Sequence, residues 1–410
     1  MPTTSISCST PARSNSRPAR GNQTSVAGGI NNAVESGATP PAAFDVLLNM
    51  SGSQLTNALN QVSGQSATGG ATSGTQMMNS FLTLLLNPNG GSVGGSTFGG
   101  ARSFASEPAL SPEAAAAYAA VTPKDKTLAA FAEPRWSVWG QVYGGYNKTE
   151  GESADTTART WGLATGFDYR AAPDLTVGFA LAGGSMSWGL SEGLGGGKSE
   201  VFQIGAYGRK ELGPAYVAGA LSYAWHGMST DRTVTVSGTD KLTASFDAHS
   251  FGGRIETGNR FATRWVGVTP YAALQVQNFR TPSYSESAVS GSNAFALSYD
   301  ARSTTSTRTE LGAWFDNTIA LARGHVLALR SRAAWAHDYS NNPAQGAVFQ
   351  TLPGSNFTVN GAQSAPNAGL VSVGADYAFG QGWSVATNID GEFSRTTTAY
   401  AAKATVRYAW

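Results

Sequence analysis

The chain has 410 residues, with 27 Lys+Arg against 26 Asp+Glu and a net charge of +1. That balance excludes a nucleic-acid binder driven by bulk positive charge. The single cysteine, Cys8, excludes an internal disulfide and a cysteine-based metal site. No run of about 18 apolar residues exists, which excludes a membrane-spanning helix but not a β-barrel, whose strands alternate and are weakly hydrophobic on average.

In chain order, the composition changes near residue 136. Before it Gly, Ser, Thr, Asn and Ala dominate; after it aromatic-rich alternating segments recur to the end. Residues 1–45 have no periodicity and read as disordered. No apolar core follows Arg13, Arg17 and Arg20, so no secretory leader is recognised. Two short helices are expected at Val46 to Val62 and Met77 to Leu86, split by the polar stretch Gly64 to Thr75. Residues 89–107 read as a Gly/Ser linker. Ser111-Pro112-Glu113 and Thr122-Pro123-Lys124-Asp125 each supply an N-cap hydroxyl, a proline at the first helical position and an acid in the first turn. These predict two thin, Ala-rich helices, narrow enough to sit inside a tube.

From residue 136 the period is two. In the last strand Tyr400, Ala402, Ala404, Val406, Tyr408 and Trp410 share one face, and Lys403, Thr405 and Arg407 the other. In the strand before it Trp383, Val385, Thr387, Ile389 and Phe393 oppose Ser384, Asn388, Asp390 and Glu392. Similar segments lie at 159–170, 173–188, 214–227, 265–279, 306–319, 325–338 and 368–379, with weaker patterns at 136–147, 199–211 and 244–257. Tight turns at Ala171 to Asp174, Leu212 to Pro214, Leu321 to Gly324 and Gly380 to Gly382 alternate with longer polar loops at 148–158, 189–198, 229–243, 281–305 and 340–366. Short turns on one side and long loops on the other describe an outer-membrane barrel with its turns and chain end in the periplasm. The expected fold is therefore all-β: a transmembrane antiparallel β-barrel of about 12 strands, preceded by a short helical and disordered N-terminal region. Trp136, Trp161, Tyr169, Trp188, Trp225, Phe315, Trp335, Trp383, Tyr408 and Trp410 are expected in interfacial girdles. Arg254/Glu256, Arg308/Glu310 and Lys403/Glu392 are expected to pair inside the lumen.

Several motifs carry this further. Trp139-Gly140-Gln141, Leu175 to Ala180, Thr269 to Leu274, Trp335 to Asp338 and the terminal Tyr408-Ala409-Trp410 stand in an order that resembles the translocator domain of autotransporters, the type V secretion family, over residues 136–410. Upstream, Leu55 to Gly64 resembles the segment carried just before such a barrel, and Met77 to Pro88 its continuation. The resemblance implies residues 1–107 as a passenger remnant and linker, 108–135 as a helical segment in the lumen and 136–410 as the barrel. It implies that Ala404, Val406, Tyr408 and Trp410 form the signal read by the barrel-assembly machinery. The implied partners are that machinery, periplasmic chaperones and the outer-membrane bilayer, around a monomeric barrel. The implied function is export or surface display of the protein's own N-terminal region. Two departures stand out: the route requires a leader, so a truncated or wrongly assigned start is expected, and the long repeat-rich stem is missing. Some members self-cleave after an Asn in the plug helix; residues 99–135 contain none.

Catalytic patterns are weak. Gly90-Gly91-Ser92-Val93-Gly94 fits a nucleophile elbow but sits in a linker. Gly197-Lys198-Ser199 ends like a phosphate loop, but Glu192 takes the place of the first glycine. His226 and His249 flank one loop and offer a remote shared metal site; His337-Asp338 offers a local dyad at a strand tip. The chain is expected not to be an enzyme and to need no cofactor or metal. The alternatives are a porin-like channel and, behind it, a surface barrel hydrolase.

Overall fold

The computed structural model describes residues 21–87, 134–339 and 343–410. Twelve long strands form the barrel: β1 (Trp136–Thr149), β2 (Thr156–Ala172), β3 (Leu175–Leu190), β4 (Gly196–Leu212), β5 (Ala215–Val234), β6 (Asp240–Asn259), β7 (Gly267–Thr281), β8 (Arg302–Ala320), β9 (Val326–Asp338), β10 (Asn367–Gly380), β11 (Trp383–Ser394) and β12 (Thr397–Ala409). Each pairs antiparallel with its chain neighbours. The wall closes where β1 meets β12, with Gly140 opposite Val406, and it is continuous where β6 meets β7, with Gly253 opposite Val276. Closure leaves no barrel edge, which is what hydrocarbon demands of a sheet.

The two faces follow the sequence alternation. Val142, Leu163, Phe179, Leu221, Ile255, Leu311, Val373 and Ile389 are exposed on the outside, while small and polar side chains point in. Trp136, Trp161, Trp335, Trp383 and Trp410 are also exposed outside, as a girdle requires. Trp188 departs from this expectation. It is in phase with Ala182 and Met186, points inward and is buried.

The strand ends also revise the loop reading. The turn side carries 173–174, 213–214, 260–266, 321–325 and 381–382. On the other side the connections 150–155, 191–195 and 235–239 are short, because the strands run on through residues expected in loops. A tilted strand crosses hydrocarbon in about 9–11 residues; β5 and β6 have 20 residues each and project well beyond it. Among the described residues, 282–301 and 343–366 belong to the long connections, and they are folded. Short strands at Tyr284–Ser285, Leu297–Tyr299, Ala344–Phe349 and Phe357–Asn360 make a four-stranded antiparallel sheet above the mouth.

Among the described residues four α-helices precede the barrel: α1 (Asn22–Glu35), α2 (Asp45–Leu48), α3 (Gly52–Val62) and α4 (Gly69–Leu86). The expectation of disorder over 1–45 is corrected for residues 22–35. Val26, Ile30 and Ala33 sit at i, i+4 and i+7 and are buried, so a helical face exists that the Gly- and Asn-rich context masks. α1 to α3 pack on the loop sheet in one apolar core, with the Phe44 ring 4.9 Å from that of Phe295 and 5.1 Å from that of Phe349. The helices expected over 111–133, and the Gly90 to Gly94 motif, lie outside the described residues.

Candidate functional site: the occupied lumen

Inside the barrel lies α4. The sequence reading began this helix at Met77, taking Gly64 to Thr75 for an interruption; the structure begins it at Gly69. The glycines are there for close approach. A Cβ on Gly69 would stand 2.2 Å from the Trp188 ring, on Gly70 2.4 Å from Met228 and on Gly74 2.3 Å from the Phe279 ring. Further along, the relation reverses and the wall is small where the helix is large. A Cβ on Gly205 would stand 2.5 Å from Leu85, and one on Gly252 2.9 Å from Leu82 and Met78. Met77, Met78, Phe81, Leu82 and Leu85 are thereby buried against the wall from β2 to β7. At about 1.5–3 kcal/mol per fully buried large apolar side chain, this face seats the helix firmly.

The opposite face of α4 is polar. Thr72, Thr75, Gln76 and Asn79 line a cavity of about 100 Å³ with Arg308, Asp338 and Glu392. Ser80 and Thr83 line a second, of about 80 Å³, with Arg332, Asp390 and Lys403. The helix thus fills one side of the lumen and leaves a polar gap along the other. The Asn-free stretch 99–135 does not describe this helix, which presents Asn79 to the gap.

The wall charges pair with one another. Arg254 donates to Glu310 at 2.8 and 2.9 Å and to Glu256 at 2.9 Å. The Tyr216 hydroxyl donates to Glu256 at 2.8 Å. Arg308 holds Asp338 at 3.0 Å and Glu392 at 2.5 Å. Lys403 lies 2.9 Å from Asp390, and Arg407 and the Tyr207 hydroxyl both reach Asp168. Arg254/Glu256 is therefore paired as expected. Arg308/Glu310 and Lys403/Glu392 are not: Arg308 and Lys403 take other acids, and Glu310 is held by Arg254. The reason is geometric. Asp338 is directly opposite Arg308 across the β8–β9 ladder, and Lys403 is two register positions from Asp390 across the β11–β12 ladder but four from Glu392. Arg254, Glu256 and Glu310 are buried, where an unpaired charge is costly. α4 itself carries no ionisable side chain, and residues 21–87 contain only two, Glu35 and Asp45. The helix therefore takes no part in the wall's ion pairs.

The remaining candidates separate. His226 faces the lumen, with Nε2 2.9 Å from the Ser250 hydroxyl. His249 is on the outer face of the same wall, with Nδ1 2.9 Å from the Tyr223 hydroxyl. They cannot share a metal. His337 turns outward to Asn367 at 2.9 Å, while Asp338 turns inward to Arg308, so no dyad forms. Lys198 and Ser199 lie within β4, not between a strand and a helix. Ala404, Val406 and Trp410 are exposed on the lipid side of β12, with the Tyr408 ring stacked 5.5 Å from Trp410. Sequence reasoning missed α4 as the plug. Its signal was the pairing of apolar residues at 77, 78, 81, 82 and 85 with upstream glycines at 69, 70 and 74, one helical face made of both.

Comparison with known proteins agrees with this geometry. The family model for the autotransporter beta-domain matches residues 138–390. Two extracellular serine proteases of Serratia marcescens are each 23% identical to the chain, over 267 and 264 residues. Each match covers 62% of this chain and 24% of the relative, so the chain spans about a quarter of their length. The translocator domain of the autotransporter NalP from Neisseria meningitidis has a TM-score of 0.59 at 14% identity, covering 83% of this chain and 97% of that one. The beta domain of the Bordetella autotransporter BrkA has a TM-score of 0.53 at 18% identity, covering 67% and 100%.

Proposed function

Because the chain belongs to the autotransporter beta-domain family and forms an outer-membrane translocator barrel, we propose that it carries its own N-terminal region out through the lumen and holds it at the cell surface. One observation carries this reading. β1 starts on the turn side, where Trp136 bonds to the terminal Trp410, while α4 enters the lumen from the loop side and α1 to α3 lie above the mouth. A chain with its barrel start on one side and its N-terminal segment on the other has passed through the wall's interior. Turns face the periplasm in such barrels, so the segment lies outside the cell.

On this reading residues 1–107 are the exported segment and linker, and 136–410 is a single-chain translocator. The outward face of β12, with Ala404, Val406, Tyr408 and Trp410, is the signal handed by periplasmic chaperones to the barrel-assembly machinery. The barrel itself does no chemistry. The protease activity in the relatives' names is read as belonging to the three quarters of those proteins that this chain does not match. A diffusion channel is the second reading, and the polar gap beside α4 is the observation in its favour.

The test is an epitope placed ahead of residue 21 in a chain given a secretory leader and expressed in a Gram-negative host. Antibody should reach it on intact cells, and external protease should remove it. An epitope found only after lysis, with a heat-modifiable barrel in the outer membrane, would sink export and favour the channel.

A further inference from the structure

The core above the mouth comes in two halves. The N-terminal segment brings Val26, Ile30, Phe44, Leu47, Leu59 and Val62; the loops bring Phe295, Leu297, Phe349, Leu352, Phe357 and Val359. The loop half also packs on Val234, Val236 and Leu242 around the β5–β6 connection, residues that the barrel itself supplies. α1 has 14 residues, including Gly28, Gly29 and three asparagines, and α3 has 11. Isolated helices of up to about 12–15 residues are marginal in water even when Ala-rich. The segment's ordered form therefore depends on what it packs against.

The packing is specific. The strand Phe357–Asn360 is an edge of the loop sheet, and α1 covers that edge with side chains. Asn22 donates to the Asn360 carbonyl at 2.8 Å and accepts from its N–H at 2.7 Å, and the Ser25 hydroxyl accepts from the Thr358 N–H at 3.1 Å. Gly29 touches the sheet so closely that a Cβ there would lie 3.0 Å from the carbonyl oxygens of both Ser355 and Asn356. At the end of α3 the buried Arg232 joins three elements. It donates to the Gln61 carbonyl at 2.7 Å, to both Glu286 oxygens at 2.7 Å and to the Phe295 carbonyl at 2.8 Å.

We propose that the loop residues 282–301 and 343–366, with the Arg232 end of β5, are a capture site for the exported segment. Residues 22–62 cross the lumen without stable structure, fold only on this platform, and by folding there hold the chain outside and α4 in the lumen. The proposal rests on the export reading above and adds to it the surface that receives the cargo.

Two neighbouring glycines test it in the full chain, in the outer membrane of intact cells. A Cβ on Gly28 meets nothing within 4 Å, whereas one on Gly29 meets the loop carbonyls. Replacing glycine by alanine inside a helix favours the helical form by about fivefold in either case. With the epitope outside, Gly28→Ala should slow proteinase K cutting within 22–62, and Gly29→Ala should speed it. If both slow it alike, the segment folds by itself and the capture site is overturned. Phe349→Ser should expose 22–62 to cutting while the barrel stays heat-modifiable; undiminished protection would also overturn the proposal. Should that variant fail to assemble, the glycine pair still decides. An epitope unreachable in the unmodified chain fails export itself, and capture with it, before the variants are compared.

Discussion

The indole N–H of Trp188 donates to the carbonyl of Ser66 at 2.9 Å, tying the turn before α4 to the inner face of β3. Gly69 packs on the same ring. One wall residue thus sets where the chain bends from the surface cap into the lumen.

Trp188→Phe should leave an aromatic ring in place but orphan a buried carbonyl, at a cost of about 1–3 kcal/mol. Trp188→Ala should cost about 3–5 kcal/mol, through the cavity it leaves. Helical circular dichroism followed through thermal melting in micelles checks both. A Trp188→Phe melt unchanged from the parent would mean that the hydrogen bond has no role.

The match of Leu85 to Gly205 should show as coupling. Leu85→Ala alone should destabilise the seated helix by about 2–5 kcal/mol. Gly205→Ala alone should also destabilise it, because its Cβ would meet Leu85. Together the two should cost less than the sum, by about 0.5–3 kcal/mol. A double-mutant cycle in urea measures this, and additivity would mean that the helix does not sit at this register.

Arg254 neutralises two buried acids. Arg254→Met should destabilise the barrel by about 3–5 kcal/mol, because Glu256 loses its cation and Glu310 keeps only Arg332, at 3.7 Å. The readout is the temperature at which the barrel loses its heat-modifiable migration. Changing Arg254, Glu256 and Glu310 together to apolar residues should recover most of that loss.

The cap should loosen in alkali. Burial, then the charge of Glu286, raises the Tyr299 phenol well above its ordinary range, and the same two causes raise Tyr284. A free phenol titrates near about 10. A group whose folded-state pKa is raised contributes stability that is intact below the free phenol's value and is lost as pH rises from there through the folded one. Protease protection of 22–62 should therefore hold to about pH 9.5 and fall above about 10. Tyr299→Phe should shift the fall upward, after an overall loss from its bonds to Glu286 and Gly64.

Trp410→Ser should lower the amount of barrel reaching the outer membrane several-fold if the end of β12 is the assembly signal. In vitro folding into micelles should change much less. Parallel losses in both would make Trp410 a stability residue only.

The alternation in β11 and β12 was legible because lipid and lumen impose opposite demands on successive residues, and a period of two records both. The twelve strands and the turn side follow from that record. Of the expected ion pairs Arg254 with Glu256 was legible and the others were not: Arg308 and Glu310 are close in the chain, but Arg308 bonds Asp338 across the ladder and Glu392 on another strand. Trp188 was misread because an aromatic serves a girdle or a packed interior equally well until its phase along the strand is counted.

What the sequence by itself determined is the barrel, since each strand's outward face is set locally by the solvent it meets. Only the tertiary structure decided that α4 begins at Gly69, that it fills the lumen, and that residues 22–62 form a cap. Those segments have weak local propensity and too little apolar surface to specify a fold alone. Their helices are stabilised by the wall and loops that residues far along the chain supply.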